Sequence, residues 1–135
     1  QLDWRLKNDE RVVSIEETHI KDLTSDDVEN DKADFIVIDV SFISLTKVIP
    51  YLEKFLSENG QVVMLIKPQF EVGREKIGKN GIVVEEKYHD EAIKKIISFS
   101  EENGYELVGV EDSPIKGTKG NKEFLMLINF NKQNK

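Results

Sequence analysis

The sequence predicts an α/β fold: a mainly parallel sheet with helices between its strands and an antiparallel hairpin at its carboxyl end. Three observations point there. Phe35–Ile38 and Gln61–Ile66 are short, almost unbroken apolar runs, the pattern of strands buried on both faces. Helix-period segments lie between them and after them, the stronger being Tyr88–Glu102. The last two strand-like runs, Tyr105–Val110 and Glu123–Phe130, are joined by a loop with no helix, which makes them antiparallel neighbours.

Bulk properties narrow the function classes. At 135 residues the chain suffices for one domain with a moderate core. Apolar residues make up 39% and charged residues 33%, ordinary for a soluble globular protein. No apolar run is long enough to cross a bilayer, and no signal-peptide pattern opens the chain. Cysteine is absent, so disulfides and thiolate metal sites are excluded and a cytoplasmic location is expected. The two histidines, His19 and His89, are too few and too far apart for a zinc centre, and no metal is expected. A net charge of −7 makes a poor nucleic-acid binder unless local basic patches or another domain supply the attraction.

Taken in order, the chain begins in mid-pattern with Gln1-Leu2-Asp3-Trp4, which reads as a piece of something longer. Arg11–Ile15 predicts a short strand, Glu16–Ile20 the loop at its carboxyl end, and Thr24-Ser25-Asp26-Asp27 the start of a short helix. The Phe35 strand follows. Ser44 then caps a predicted helix with Leu45, Val48, Ile49, Leu52, Phe55 and Leu56 on one face, kinked at Pro50 and ended by Asn59-Gly60. The strand Gln61–Ile66 should stop near Lys67, because Pro68 cannot continue a central ladder. Val72–Val84, rich in Gly, Lys and Arg, predicts a mobile loop of mixed charge. The amphipathic helix Tyr88–Glu102 ends at Asn103-Gly104, and Ser113–Asn121 forms a second Gly/Lys loop before the last strand.

Three polar residues share one address. Asp39 and Lys67 each end a buried strand, so both belong at the carboxyl edge of the sheet, where open α/β folds bind their ligands. Glu123 opens the last strand, and an antiparallel course brings it to the same edge. Together, Asp, Lys and Glu can position a hydroxyl and assist loss of its proton. Each residue also has a plainer reading. Asp39 suits a turn or helix cap, Lys67 a solvated charge, and Glu123 an ion pair with a loop lysine.

Four blocks carry a resemblance: Asp39-Val40-Ser41-Phe42-Ile43-Ser44-Leu45, Lys67-Pro68-Gln69-Phe70-Glu71 with Gly73-Arg74, Ser113-Pro114-Ile115-Lys116-Gly117, and Gly120-Asn121-Lys122-Glu123-Phe124-Leu125. In this order they resemble the TlyA, or hemolysin A, family, which is similar to the FtsJ-type ribosomal RNA methyltransferases. The resemblance implies a Rossmann-like methyltransferase sheet, S-adenosylmethionine as cofactor, and methylation of a ribose 2′-hydroxyl in ribosomal RNA. By motif it makes Asp39, Lys67 and Glu123 three members of a Lys-Asp-Lys-Glu catalytic set. Asp39, Val40 and Thr18 are its candidates for cofactor binding.

The first lysine of that set, the Gly-rich cofactor loop and a small RNA-binding domain would lie upstream of Gln1. Residues 1–135 are then the C-terminal portion of the catalytic domain, expected to be inactive alone. Two central strands between Arg11–Ile15 and the Phe35 strand are expected to be missing. Open apolar edges there would favour a homodimer. The expected partner of the longer protein is ribosomal RNA or a ribosomal subunit, with no membrane. Two other classes compete. One is a non-enzymatic protein-interaction module. The other is a membrane-active hemolysin, which the amphipathic helices oppose because their apolar faces suit a sheet.

Overall fold

The computed structural model describes residues 12–16, 33–114 and 120–131. The expected loop beyond Glu16, the short helix near Thr24, and Thr18 fall outside them. Within them lie strands β1 (Val12–Glu16), β2 (Ala33–Asp39) and β3 (Leu56–Ile66), helix α1 (Glu86–Glu102), then β4 (Tyr105–Asp112) and β5 (Phe124–Phe130). They build a five-stranded sheet in the order β1-β2-β3-β5-β4. The first three strands are parallel, and β5 inserts between β3 and β4, antiparallel to both. The α/β class and the closing hairpin are as the sequence predicts.

The sheet has no gap where two strands were expected to be missing. β1 hydrogen-bonds directly to β2, with Val12 opposite Phe35 and Ile15 opposite Ile38. The β2 edge is therefore paired, which removes the ground for self-association at that place. The apolar strands also differ from the expectation of burial on both faces. Ile36, Ile38, Val62, Met64, Ile66, Met126 and Ile128 are buried on one face, while Val37, Val63 and Leu127, aligned across the other, are half-buried. Alternation of this kind follows from the two-residue period of a strand whose faces are unequally covered.

The larger correction concerns residues 44–59. No α-helix forms. Three 3-10 turns, Leu45–Lys47, Ile49–Tyr51 and Glu53–Phe55, lead straight into β3. Pro50 has no amide to donate and its ring crowds the preceding turn, so a continuous i→i−4 ladder cannot pass through it. The backbone instead closes short bonds such as Val48 N to Leu45 O (2.9 Å) and Leu52 N to Ile49 O (3.2 Å). The apolar pattern still does its work, since Leu45, Val48, Ile49, Leu52, Phe55 and Leu56 are all buried in the core. Asn59-Gly60 ends no helix. It marks an irregularity inside β3, where Asn59 has φ 66° and the register slips between Ala33 opposite Leu56 and Phe35 opposite Gln61.

Helix α1 starts two residues earlier than predicted and packs on β4. Ala92, Ile96 and Ser100 line its buried face. Its end is set by Gly104, whose φ of 91° only glycine adopts cheaply.

Tyr105 stacks against Phe130 at 5.2 Å and is buried, yet its hydroxyl has no hydrogen-bond partner among the described residues. Burial, with a smaller push from Glu53, raises its pKa. An unsatisfied buried hydroxyl costs about 1–3 kcal/mol. Tyr105→Phe keeps the ring contact and should therefore raise the unfolding free energy by about 1 kcal/mol in urea titration. Lower stability of that variant would show that the hydroxyl is satisfied in solution.

Candidate active site

The site lies where β2 and β3 end side by side. Asp39 is the last residue of β2, and Lys67 directly follows β3. Pro68 opens a 3-10 turn, Pro68–Phe70, and so ends the ladder at Lys67 as the sequence predicts. The Lys67 ammonium donates to Asp39 Oδ1 at 2.6 Å and to Ser41 Oγ at 2.9 Å. The first distance is that of a charge-assisted hydrogen bond. The Lys67 side chain is 11% exposed, whereas Asp39 keeps 40% of its surface open.

Glu123 reaches the same edge because β5 is antiparallel. Phe124 pairs with Ile66, which sets the preceding Glu123 beside Lys67. Its side chain is buried. Burial pushes the Glu123 carboxyl above its ordinary 4.5, Lys67 pulls it part of the way back, and Asp39 pushes it up again. The structure thus brings all three sequence-predicted polar residues into one electrostatic cluster. The plainer readings of Asp39 and Lys67, a cap and a solvated charge, do not describe their contacts.

The raised Glu123 carboxyl has a consequence for stability. A carboxyl that holds its proton more tightly when folded than when unfolded costs stability as pH rises above 4.5. The cost is complete once the folded group has ionised. Glu123→Gln should therefore gain stability relative to the parent as pH rises above 4.5, until the folded carboxyl has ionised, with no further change in the difference well below 4.5. Urea denaturation across the range checks this. A variant that loses ground as pH rises would show the folded carboxylate to be stabilised instead.

Four supporting residues went unassigned in the sequence. Glu71 accepts from Ser44 Oγ at 2.6 Å, from the Leu45 amide at 2.9 Å and from Lys95 at 3.1 Å, with its own side chain 1% exposed. Asn121 bridges to Gly81 O (2.9 Å) and takes the Val83 amide (3.0 Å). His89 Nε2 meets Val83 O at 2.9 Å. Residues 72–84, expected to be mobile, are thereby pinned to α1 and to the segment just before β5. The fourth residue, Phe42, is 87% exposed at φ 68°, a conformation that costs a non-glycine residue about 1–2 kcal/mol. Its ring leans on Phe70 at 5.1 Å over a cavity of about 350 Å³ lined also by Ser41, Gln69, Ile77 and Asn121. A lone Asn after glycine and a Phe after serine carry no periodic signal, which is why spacing alone missed them.

Val40 is buried in the core, which leaves only its backbone to meet a ligand. Among the described residues, no group of three or more His, Asp or Glu side chains could hold a metal ion. No helix there is long and apolar enough to cross a membrane.

The parallel strands thus end in an Asp–Lys pair, with a Glu from the antiparallel last strand at the same edge, the place where open α/β folds bind ligands. The comparisons give the family: the FtsJ-like methyltransferase model matches residues 1–130, and the chain belongs to that family. The 16S/23S rRNA (cytidine-2′-O)-methyltransferase TlyA of Mycobacterium tuberculosis is 38% identical over 128 residues, 95% of this chain and 47% of that protein. Hemolysin A of Brachyspira hyodysenteriae is 44% identical over 129 residues, 93% of this chain and 52% of that protein. A solved structure from Streptococcus thermophilus, provisionally labelled a hemolysin, superposes with a TM-score of 0.82 at 42% identity, over 98% of this chain and 48% of that one. The chain spans about half the length of these relatives.

Proposed function

We propose that this chain carries the acceptor-activating half of a ribosomal RNA ribose 2′-O-methyltransferase that uses S-adenosylmethionine. One observation carries the reading. A lysine ammonium is clamped between Asp39 and Ser41 at the carboxyl ends of parallel strands, with a buried Glu123 beside it. The names of the relatives and the family match support the reaction class.

The described residues fit the reacting end of that cofactor. Asp39 is half-open beside Lys67, so a carboxylate faces the place where a cationic methyl donor would sit. When bound, S-adenosylmethionine supplies an electrophilic methyl group. The Lys67 ammonium would donate a hydrogen bond to the ribose 2′-oxygen and so ease loss of the hydroxyl proton to solvent water as that oxygen attacks. Asp39 and Ser41 fix the direction of the Lys67 ammonium. Glu123 holds the ribose or the lysine from the far side. Since the transfer is an in-line displacement, this positioning supplies most of the acceleration.

Phe42 suits an RNA base. An exposed phenyl over a cavity bordering Ser41 offers a stacking face next to the hydroxyl site. Stacking of one base is worth about 1–3 kcal/mol. Phe42→Ala should then lower kcat/KM for RNA by about 10- to 100-fold, with cofactor affinity unchanged. An unaltered kcat/KM would place the base elsewhere. The chain's net charge of −7 opposes phosphate binding, so affinity for RNA must come chiefly from the remainder of a longer protein.

Calorimetric titration of S-adenosylmethionine into this chain and into a protein of the relatives' full length tests the reading. Binding to the longer form is expected. Binding to neither would point to an interaction module instead.

A further inference from the structure

We propose that Glu71 is a positioning residue for the Lys67 cluster, acting through the loop that carries Ser41. The inference rests on the methyltransferase reading for its kinetic arm alone. Two chain segments meet at the cluster. One, following β2, carries Asp39 and Ser41; the other, following β3, carries Lys67. They cross-link once through the Lys67 ammonium. They cross-link a second time one turn further on, where the Glu71 carboxylate takes the Ser44 hydroxyl on one oxygen and the Leu45 amide on the other.

This second link has features that a merely space-filling carboxylate lacks. Both of its loop contacts come from consecutive residues, so the carboxylate fixes the orientation of the loop as well as its distance. Ser44 is simultaneously the cap of the following turn, accepting from the Thr46 amide at 3.1 Å. The Glu71 end is held in turn by Lys95 of α1, which bonds its carboxylate at 3.1 Å and its backbone oxygen at 2.8 Å. Between Ser41 and Ser44 the chain passes through Phe42 at φ 68°. Such a conformation persists only where the surroundings over-determine it. The Glu71 link on one side and the Lys67 link on the other supply that constraint. Loosening Glu71 should let the loop relax and move Ser41 away from Lys67.

The test has two readouts. In the 135-residue chain, the side-chain ammonium signal of Lys67 is followed by nitrogen-resolved NMR. In a protein of the relatives' full length, kcat and KM for methyl transfer are measured. Glu71→Gln should shift or broaden the Lys67 signal and lower kcat by about 10- to 100-fold, with KM for S-adenosylmethionine unchanged. Lys95→Met removes the helix-side contact but leaves the two loop contacts in place. It should lower the melting temperature while leaving the Lys67 signal and kcat near parental values. An unchanged Lys67 signal in Glu71→Gln would overturn the proposal. So would equal loss of signal and kcat in Lys95→Met, since that is general loosening. If Glu71→Gln does not fold, Ser44→Ala is judged by the same two readouts. A parent without methyl transfer would sink the methyltransferase reading and leave the NMR arm to decide the role of Glu71.

Discussion

Lys67→Met in a protein of the relatives' full length should abolish methyl transfer, by at least about 10³-fold in kcat, while S-adenosylmethionine still binds. The substitution keeps the length and apolar stem of the side chain and removes only the nitrogen. That nitrogen is the donor to Asp39 and Ser41 and the positive charge that pulls down the raised carboxyl of Glu123. Folding should survive, because Asp39 is half-open and water can replace its lost partner. Ser41 regains a free hydroxyl. Methyl transfer to ribosomal RNA against radiolabelled cofactor measures the first effect, and calorimetry the second. Residual activity within tenfold of the parent would remove Lys67 from the chemistry.

Glu71→Ala should be the most damaging single change to the stability of the site. It leaves the buried Leu45 amide without an acceptor and strips the Ser44 hydroxyl of its shortest bond. An orphaned buried donor costs about 1–3 kcal/mol, and the deleted methylene and carboxyl add a cavity. Lys95 is 41% exposed, so its released charge is solvated and adds little. The sum is about 3 kcal/mol. For a domain of this size that lowers the melting temperature by about 10 °C. Differential scanning calorimetry measures it, and a loss under about 2 °C would mean that water replaces the carboxylate without penalty.

Much of the sheet was legible because its strands are marked by unambiguous neighbours. Pro68 stops β3, Gly104 stops α1, and a connection with no crossover helix between β4 and β5 implies an antiparallel pair. Asp39, Lys67 and Glu123 were legible for the same reason, since strand ends fix which edge they occupy. The segment after Ser44 was not. Its apolar spacing reports which residues are buried, and they are, but the same spacing serves a string of 3-10 turns when Pro50 interrupts the ladder. Burial pattern and backbone geometry are separate facts there. The direct pairing of β1 with β2 was also invisible, because strand order depends on contacts between distant residues. Glu71 and Asn121 act through backbone amides and carbonyls, groups that every residue carries and no motif advertises.

The central claim is that the Lys67 cluster activates a ribose hydroxyl. Its most direct test is to incubate ribosomal subunits with S-adenosylmethionine and a protein of the relatives' full length, digest the RNA to nucleosides, and identify the methylated product by mass spectrometry. The account predicts a new 2′-O-methylated nucleoside that is absent with Lys67→Met. A methyl group on a base, or the same 2′-O-methyl product with Lys67→Met, would contradict it.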